Sequence, residues 1–108
     1  MDKEIMKGSI DILVLSVIAQ GYTYGYEIAK SLKDKSNDLY QMSEGTLYPA
    51  LKRLEKKGYL ESYWGDSVAA ARRKHYKLTD TGKEELNRKT NEWRQVNRLI
   101  QVCTEGLS

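Results

Sequence analysis

The sequence predicts a mainly α-helical domain with one small β-hairpin and a long helix appended at its C-terminal end. Four segments place apolar residues at three- and four-residue spacing, the signature of amphipathic helices. Between the third and fourth of them, two short stretches alternate apolar and polar residues, as half-buried strands do. The last helix repeats its apolar positions as a seam that a lone helix cannot bury.

Size sets the first bounds. A chain of 108 residues is one small domain, or one domain with a single added element. Its 40% hydrophobic content can build a core, but a small domain buries only part of its surface, so a second subunit would help. Aromatic content comes from eight Tyr and two Trp, with no Phe, and Tyr suits half-buried positions. The net charge of +3 is too small to name an anionic partner; its distribution matters more. A lone Cys103 excludes an intramolecular disulfide, and neither it nor the single His75 makes a metal set, so no cofactor is expected and a reducing cytoplasm is. Ile10–Ala19, interrupted by Asp11 and Ser16, is too short to span a bilayer, so no membrane role is expected. The acidic flank at Asp2 and Glu4 argues against a signal peptide.

The first helix is expected over Met6–Gln20. Met6, Ile10, Leu13, Val14 and Val17 form one stripe, and Ile5, Gly8, Ile12, Leu15 and Ala19 form an apolar stripe opposite. One face can pack on its own domain; the other needs a further element or a second subunit. Thr23 is an N-cap candidate for a second helix, Tyr24–Lys35, with Gly25, Ile28, Ala29 and Leu32 inward. Ser36-Asn37-Asp38 is a turn, and Leu39–Met42 a short extended bridge. Ser43 caps a third helix that runs to Lys57 and stops at Gly58, with Leu47, Ala50, Leu51 and Leu54 inward. "YLESYWGD" and "RRKHYKLT", separated by "SVAAA", read as an antiparallel hairpin. Thr79 caps the last helix, about Asp80–Glu105, whose seam is Leu86, Trp93, Val96, Ile100, Cys103 and Leu107. Three helices and a two-stranded hairpin make a winged helix-turn-helix, expected over 1–78, and 79–108 is left as a C-terminal dimerisation helix.

The third helix carries the clearest functional signal. Opposite its leucines lie Gly45, Pro49, Lys52 and Lys56, with Thr46 and Arg53 on one flank and Tyr48 and Glu55 on the other. Small, hydroxyl and basic groups on one helix face suit a DNA major groove, where the backbone comes close. A proline inside a helix usually costs about 3 kcal/mol or more. On the outer face Pro49 removes no packing contact, and Gly45, four residues back, has no side chain to crowd it. On that reading the proline shapes a groove-facing surface; on the other, 43–48 is a separate turn and Pro49 begins the helix. The second basic element, Arg72, Arg73, Lys74 and Lys77, has no acidic residue between Ser67 and Thr79. At a wing it reaches phosphates or the minor groove; alone it would read as a charged strand edge.

"KGSIDILVLSVIAQGYTYGYEIAKSL", "GTLYPALKRLEKKGYL" and "WGDSVAAARRKHYKLTDTGKEEL" resemble the PadR-like transcriptional regulators along residues 7–86. The run Gly45-Thr46-Leu47-Tyr48-Pro49-Ala50-Leu51, followed by Arg53-Leu54, is the most specific part of the resemblance. Arg72-Arg73-Lys74 with Tyr76 and Leu78-Thr79 is the second. Where the family often has Gly or Pro before the Arg pair, this chain has Ala69-Ala70-Ala71.

The resemblance implies a bacterial winged-helix repressor that contacts double-stranded DNA through Ser43 and the outer-face and wing residues named above. It implies a homodimer through the first and last helices, with Leu86, Trp93, Ile100 and Cys103 at the interface. The single C-terminal helix looks like the short branch, some members of which bind flat aromatic drugs between subunits beside a tryptophan that Trp93 matches. The ligand wall is then Trp93, Val96, Asn97 and Ile100, facing Ile5, Gly8, Ile12 and Leu15. Trp93 also reads simply as a dimer-core residue. Two recognition helices would read half-sites about 34–36 Å apart, or a multiple, so the operator is expected to be pseudo-palindromic.

Other classes fit less well. An enzyme is not expected: one His, one Cys on a helix seam, no clustered carboxylates and no phosphate loop offer no catalytic set. A winged helix serving only protein interaction or regulation, with no small-molecule ligand, would need an acidic or apolar outer face on the third helix. Lys52, Arg53, Lys56 and Lys57 argue otherwise.

Overall fold

The computed structural model describes residues 1–65 and 73–107. Its elements run α1 (Lys3–Lys7), α2 (Ile10–Ala19), α3 (Gly25–Lys35), α4 (Glu44–Lys56), β1 (Leu60–Trp64), β2 (Lys74–Leu78) and α5 (Asp80–Thr104). The order is that of a winged helix with a long C-terminal helix, as the spacing of apolar residues predicts. "SVAAA" and Arg72 lie outside the described residues.

The expected first helix is two helices. Asp2 caps α1, its carboxylate accepting from the backbone N–H of Glu4 at 2.7 Å and of Ile5 at 3.3 Å. Gly8 ends it, and Ser9 opens α2. Glycine is a poor helix former, and at the break the Gly8 and Ser9 N–H groups turn to the Met6 carbonyl while the Ser9 side chain makes no capping bond. α2 is then the central helix, packing on α3, α4, β2 and α5. Both of its apolar sides are used within the chain: Val14, Leu15, Val17 and Ile18 are all buried. Ile28, Leu32, Met42, Leu47, Ala50, Leu51, Leu54, Leu60 and Tyr76 complete the core.

Thr23 does not cap the second helix; Tyr24 occupies that position in extended conformation. The reason lies in the hairpin. Tyr76 N–H donates to the Thr23 carbonyl at 2.8 Å, and Tyr24 forms an antiparallel bridge with His75. The Thr23 hydroxyl lies 2.9 Å from His75 Nδ1, so it is occupied by the sheet. Glu27 reaches back instead, accepting from Thr23 N–H at 2.7 Å. Thr23–Tyr24 thus adds a third, minimal strand position beside β2. Leu39–Met42 forms no bridge; it leads Met42 into the core.

β1 and β2 are antiparallel, with Leu60 opposite Leu78, Ser62 opposite Tyr76 and Trp64 opposite Lys74. Directly opposed residues share a face, so these six side chains form the side turned to α4. α4 ends as expected: Gly58, at φ +83°, lets Tyr59 N–H return to the Leu54 carbonyl at 3.0 Å. Thr79 caps α5 through its hydroxyl, which accepts from Gly82 N–H at 2.9 Å and donates to the Gly58 carbonyl at 2.6 Å. Leu86 packs against the core, but from Asn91 to Leu107 every residue of the helix and its end is exposed.

Candidate nucleic-acid interface

α4 is continuous from Glu44 to Lys56 with Pro49 inside it, so the helix does not begin at the proline. Leu47, Ala50, Leu51 and Leu54 anchor one side in the core; Gly45, Pro49, Lys52 and Lys56 are exposed on the other. A Cβ at Gly45 would meet only the Ser43 hydroxyl, at 3.9 Å, so this side is open to a close approach. Ser43 stands at the N-cap position, but its hydroxyl donates to Thr46 Oγ1 at 3.1 Å rather than accepting from the helix. Tyr48 rests on α3, where a Cβ at Gly25 would lie 2.6 Å from its hydroxyl, and half of Tyr48 remains exposed.

Charges on this surface divide into engaged and unengaged groups. Arg53 pairs with Asp11 of α2, across 42 positions of sequence. Lys74 pairs with Glu55 at 3.3 Å, and Lys77 with Glu61 at 3.7 Å. The Ser62 hydroxyl donates to Glu55 at 2.5 Å, and this bond, followed by Lys74, holds the Glu55 carboxyl below its ordinary range. Arg73 lies over the Tyr24 ring at 4.7 Å, and Tyr24 and Tyr63 flank His75. Lys52 and Lys56 form no ion pair with any described residue. The outer face of α4 therefore presents two exposed cations, unpaired among the described residues, beside a glycine and a proline. Trp64, 63% exposed, stands opposite Lys74 on the same side of the hairpin. Strand alternation places Trp64 there, and the Ser62–Glu55 and Lys74–Glu55 contacts, with Leu60 and Tyr76 in the core beside the α4 leucines, show that this side adjoins α4.

The second expected site is partly assembled. Gly8, Ile12, Trp93 and Val96 line a groove of about 240 Å³ between the start of α2 and α5, with Lys89 and Glu92 at its edge. Leu15 is 0% exposed within the core and cannot be a wall of this groove, because α2 is packed by α3, α4, β2 and α5 of the same chain. Ile5 sits on α1, 66% exposed and outside the groove, and Asn97 and Ile100 lie farther along α5 in the open. Leu86 is engaged with the core, whereas Cys103 is exposed. Leu99 and Val102, which the seam omitted, are also exposed and widen the apolar stripe around the helix.

No helix among the described residues is long and apolar enough to cross a membrane. The fold matches solved regulators over nearly its whole length. A transcriptional regulator from Clostridium thermocellum superposes with a TM-score of 0.86 at 37% identity, covering 94% of this chain and 95% of that one. A PadR-like transcriptional regulator from Bacillus cereus gives 0.82 at 30% identity, covering 96% and 99%. The negative transcriptional regulator PadR of Bacillus subtilis is 28% identical over 74 residues, 68% of this chain but only 41% of that protein's length. The model of the transcriptional regulator PadR-like family matches residues 14–88, which hold α4, the described hairpin and the capped start of α5. With that match, and with the winged helix folded as in these regulators, the chain belongs to the PadR-like family of transcriptional regulators.

Proposed function

We propose that this protein is a cytoplasmic, homodimeric repressor that reads a pseudo-palindromic operator with α4 and grips the flanking backbone with its wing. The observation that carries the reading is the outer face of α4, where Gly45 and Pro49 leave room and Lys52 and Lys56 stand unpaired among the described residues. Ser43, Thr46 and Tyr48 edge that face; on the wing the proposed backbone contacts are Arg73, just before β2, Lys74 on the α4 side of the hairpin, and Lys77 on its other side. Arg72 belongs to the same basic run of sequence. Lysines next to small residues supply phosphate attraction and close approach together, which is what major-groove docking needs. The Bacillus subtilis relative is named as a negative regulator, which supports repression.

Dimerisation is the second half of the reading, with residues 1–78 as the DNA-binding part and 79–108 as the dimerising one. Trp93, Val96, Leu99, Ile100 and Val102 are exposed on α5, and Leu107 just beyond its end, far more apolar surface than a solitary helix keeps in water. The breadth of the stripe suits a partner offering more than one helix, and a second copy offers its α5 and its α1–α2 corner. Cys103 would be covered with them. A flat aromatic effector would sit between Trp93 and the Gly8–Ile12 side of the groove. It would release DNA only if it bound more tightly to the dimer whose α4 helices are wrongly spaced, and operator would weaken it by the same factor.

The test is selection of bound fragments from genomic DNA by the purified protein, followed by sedimentation of the wild type and Trp93→Ala. Recovery of paired half-sites by a dimer is the expected result. A monomer, or a protein that enriches no sequence, contradicts the reading.

A further inference from the structure

Asp11 is the only charged residue of α2, IDILVLSVIA, and it sits in the first turn between Ile10 and Ile12. Its carboxylate is 20% exposed and holds the guanidinium of Arg53, which lies in the last turn of α4. Each residue also favours its own helix end, an acid near an N-terminus and a base near a C-terminus. Local end effects, however, need no contact between the two helices. Here the pair ties the C-terminal half of the helix proposed to enter DNA to the central helix of the domain. It also takes out of circulation the one arginine of the α4 face, which the sequence reads as a DNA contact.

We propose that Asp11 is a positioning residue for DNA binding: by holding Arg53 it fixes the set of α4 against α2, and Arg53 acts through that pair rather than on a phosphate. This rests on the DNA-binding reading above and adds to it. The core side of α4 is apolar and fixes depth. The Asp11–Arg53 pair is a directional contact at the far end of that interface, where sliding of α4 along α2 would otherwise be opposed by side-chain packing alone. The same turn of α2 also carries Ile12, which lines the groove with Trp93. What fills that groove and what orients α4 are therefore one residue apart.

The two roles of Arg53 predict opposite signs. If Arg53 meets a phosphate, Asp11→Asn frees it and removes a negative charge near DNA, so binding tightens, and Arg53→Ala lowers the salt slope by about 1. If the pair positions α4, Asp11→Asn weakens binding even though its charge change favours DNA. The experiment measures affinity for a selected operator duplex across a salt series, by fluorescence anisotropy, for wild type, Asp11→Asn, Arg53→Ala and the double variant. Thermal unfolding of each sets a working temperature below its transition. The expected result is a loss of roughly 5- to 10-fold for each single variant, an unchanged slope, and a double variant no weaker than the worse single one, because neighbours sharing one interaction are not additive.

Tighter or unchanged binding by Asp11→Asn overturns the proposal, as does a slope reduced by about 1 in Arg53→Ala. Should a single variant fail to fold, the exchanged pair Asp11→Arg with Arg53→Asp decides: recovery to within about twofold supports positioning, and a folded but non-binding exchange overturns it. A wild type that binds no duplex at low salt would sink the DNA reading itself, a separate and recognisable outcome.

Discussion

The carbonyl oxygen of Tyr59 lies 2.1 Å from where a Cβ would stand at position 82, so only glycine lets the first turn of α5 close onto the start of the hairpin. Thr79 fastens the same junction, since its N–H donates to that carbonyl at 3.1 Å while its hydroxyl bridges Gly82 and Gly58. The winged part of the chain and the helix that leaves it are thus joined by backbone contact rather than by a loop.

Gly82→Ala is expected to lose at least about 2 kcal/mol of stability by overpacking against backbone that cannot move aside. For a domain near this size that lowers the melting temperature by roughly 8–16 °C. Helix propensity alone predicts the reverse, a gain of about 1 kcal/mol. Circular dichroism melting distinguishes them by sign.

Glu55 gives the fold a defined acid sensitivity. Its folded carboxyl is held below the ordinary value of 4.5, first by the Ser62 hydroxyl and then by Lys74, so the charged form is stabilised by folding. That contribution is complete above the ordinary carboxylate range, declines as pH falls through it, and is gone below the folded value. Ser62→Ala should therefore be less stable than wild type at neutral pH, with the gap closing on acidification. Urea unfolding from pH 7 to pH 3 measures it; a gap constant with pH contradicts the assignment.

Pro49 interrupts the hydrogen bonding of an exposed helix whose inner side is already packed. Pro49→Ala is expected to stabilise the protein by about 1–3 kcal/mol and to weaken operator binding. Stability follows from thermal melting and affinity from anisotropy. If affinity is unchanged while stability rises, the proline does not shape the DNA-facing surface.

The sequence carried the large periodic elements well and the junctions poorly. Leucines at 47, 51 and 54, the Gly58 stop and the Thr79 cap are local signals, and each lies where its spacing or chemistry predicts. Gly8 looked like one more member of an apolar stripe, yet a glycine beside a serine ended one helix and began another. Leu15 is buried because α2 is packed by α3, α4, β2 and α5 of its own chain, which its stripe alone does not reveal. Thr23 has the right chemistry for a cap, but its hydroxyl was drawn to His75, 52 positions away, a contact no local pattern displays. Arg53 was legible as a basic residue on the flank of the outer face of α4 and not as the partner of Asp11, for the same reason. The outer residues of α4 were readable because a helix face follows from its period alone.

The most direct test of the central reading is the salt dependence of operator binding for wild type and the Lys52→Ala, Lys56→Ala double variant. If both lysines meet phosphates, log affinity falls linearly with log salt in both proteins, and the slope of the double variant is smaller by about 2. A double variant with the wild-type slope and wild-type affinity would contradict a DNA-facing α4.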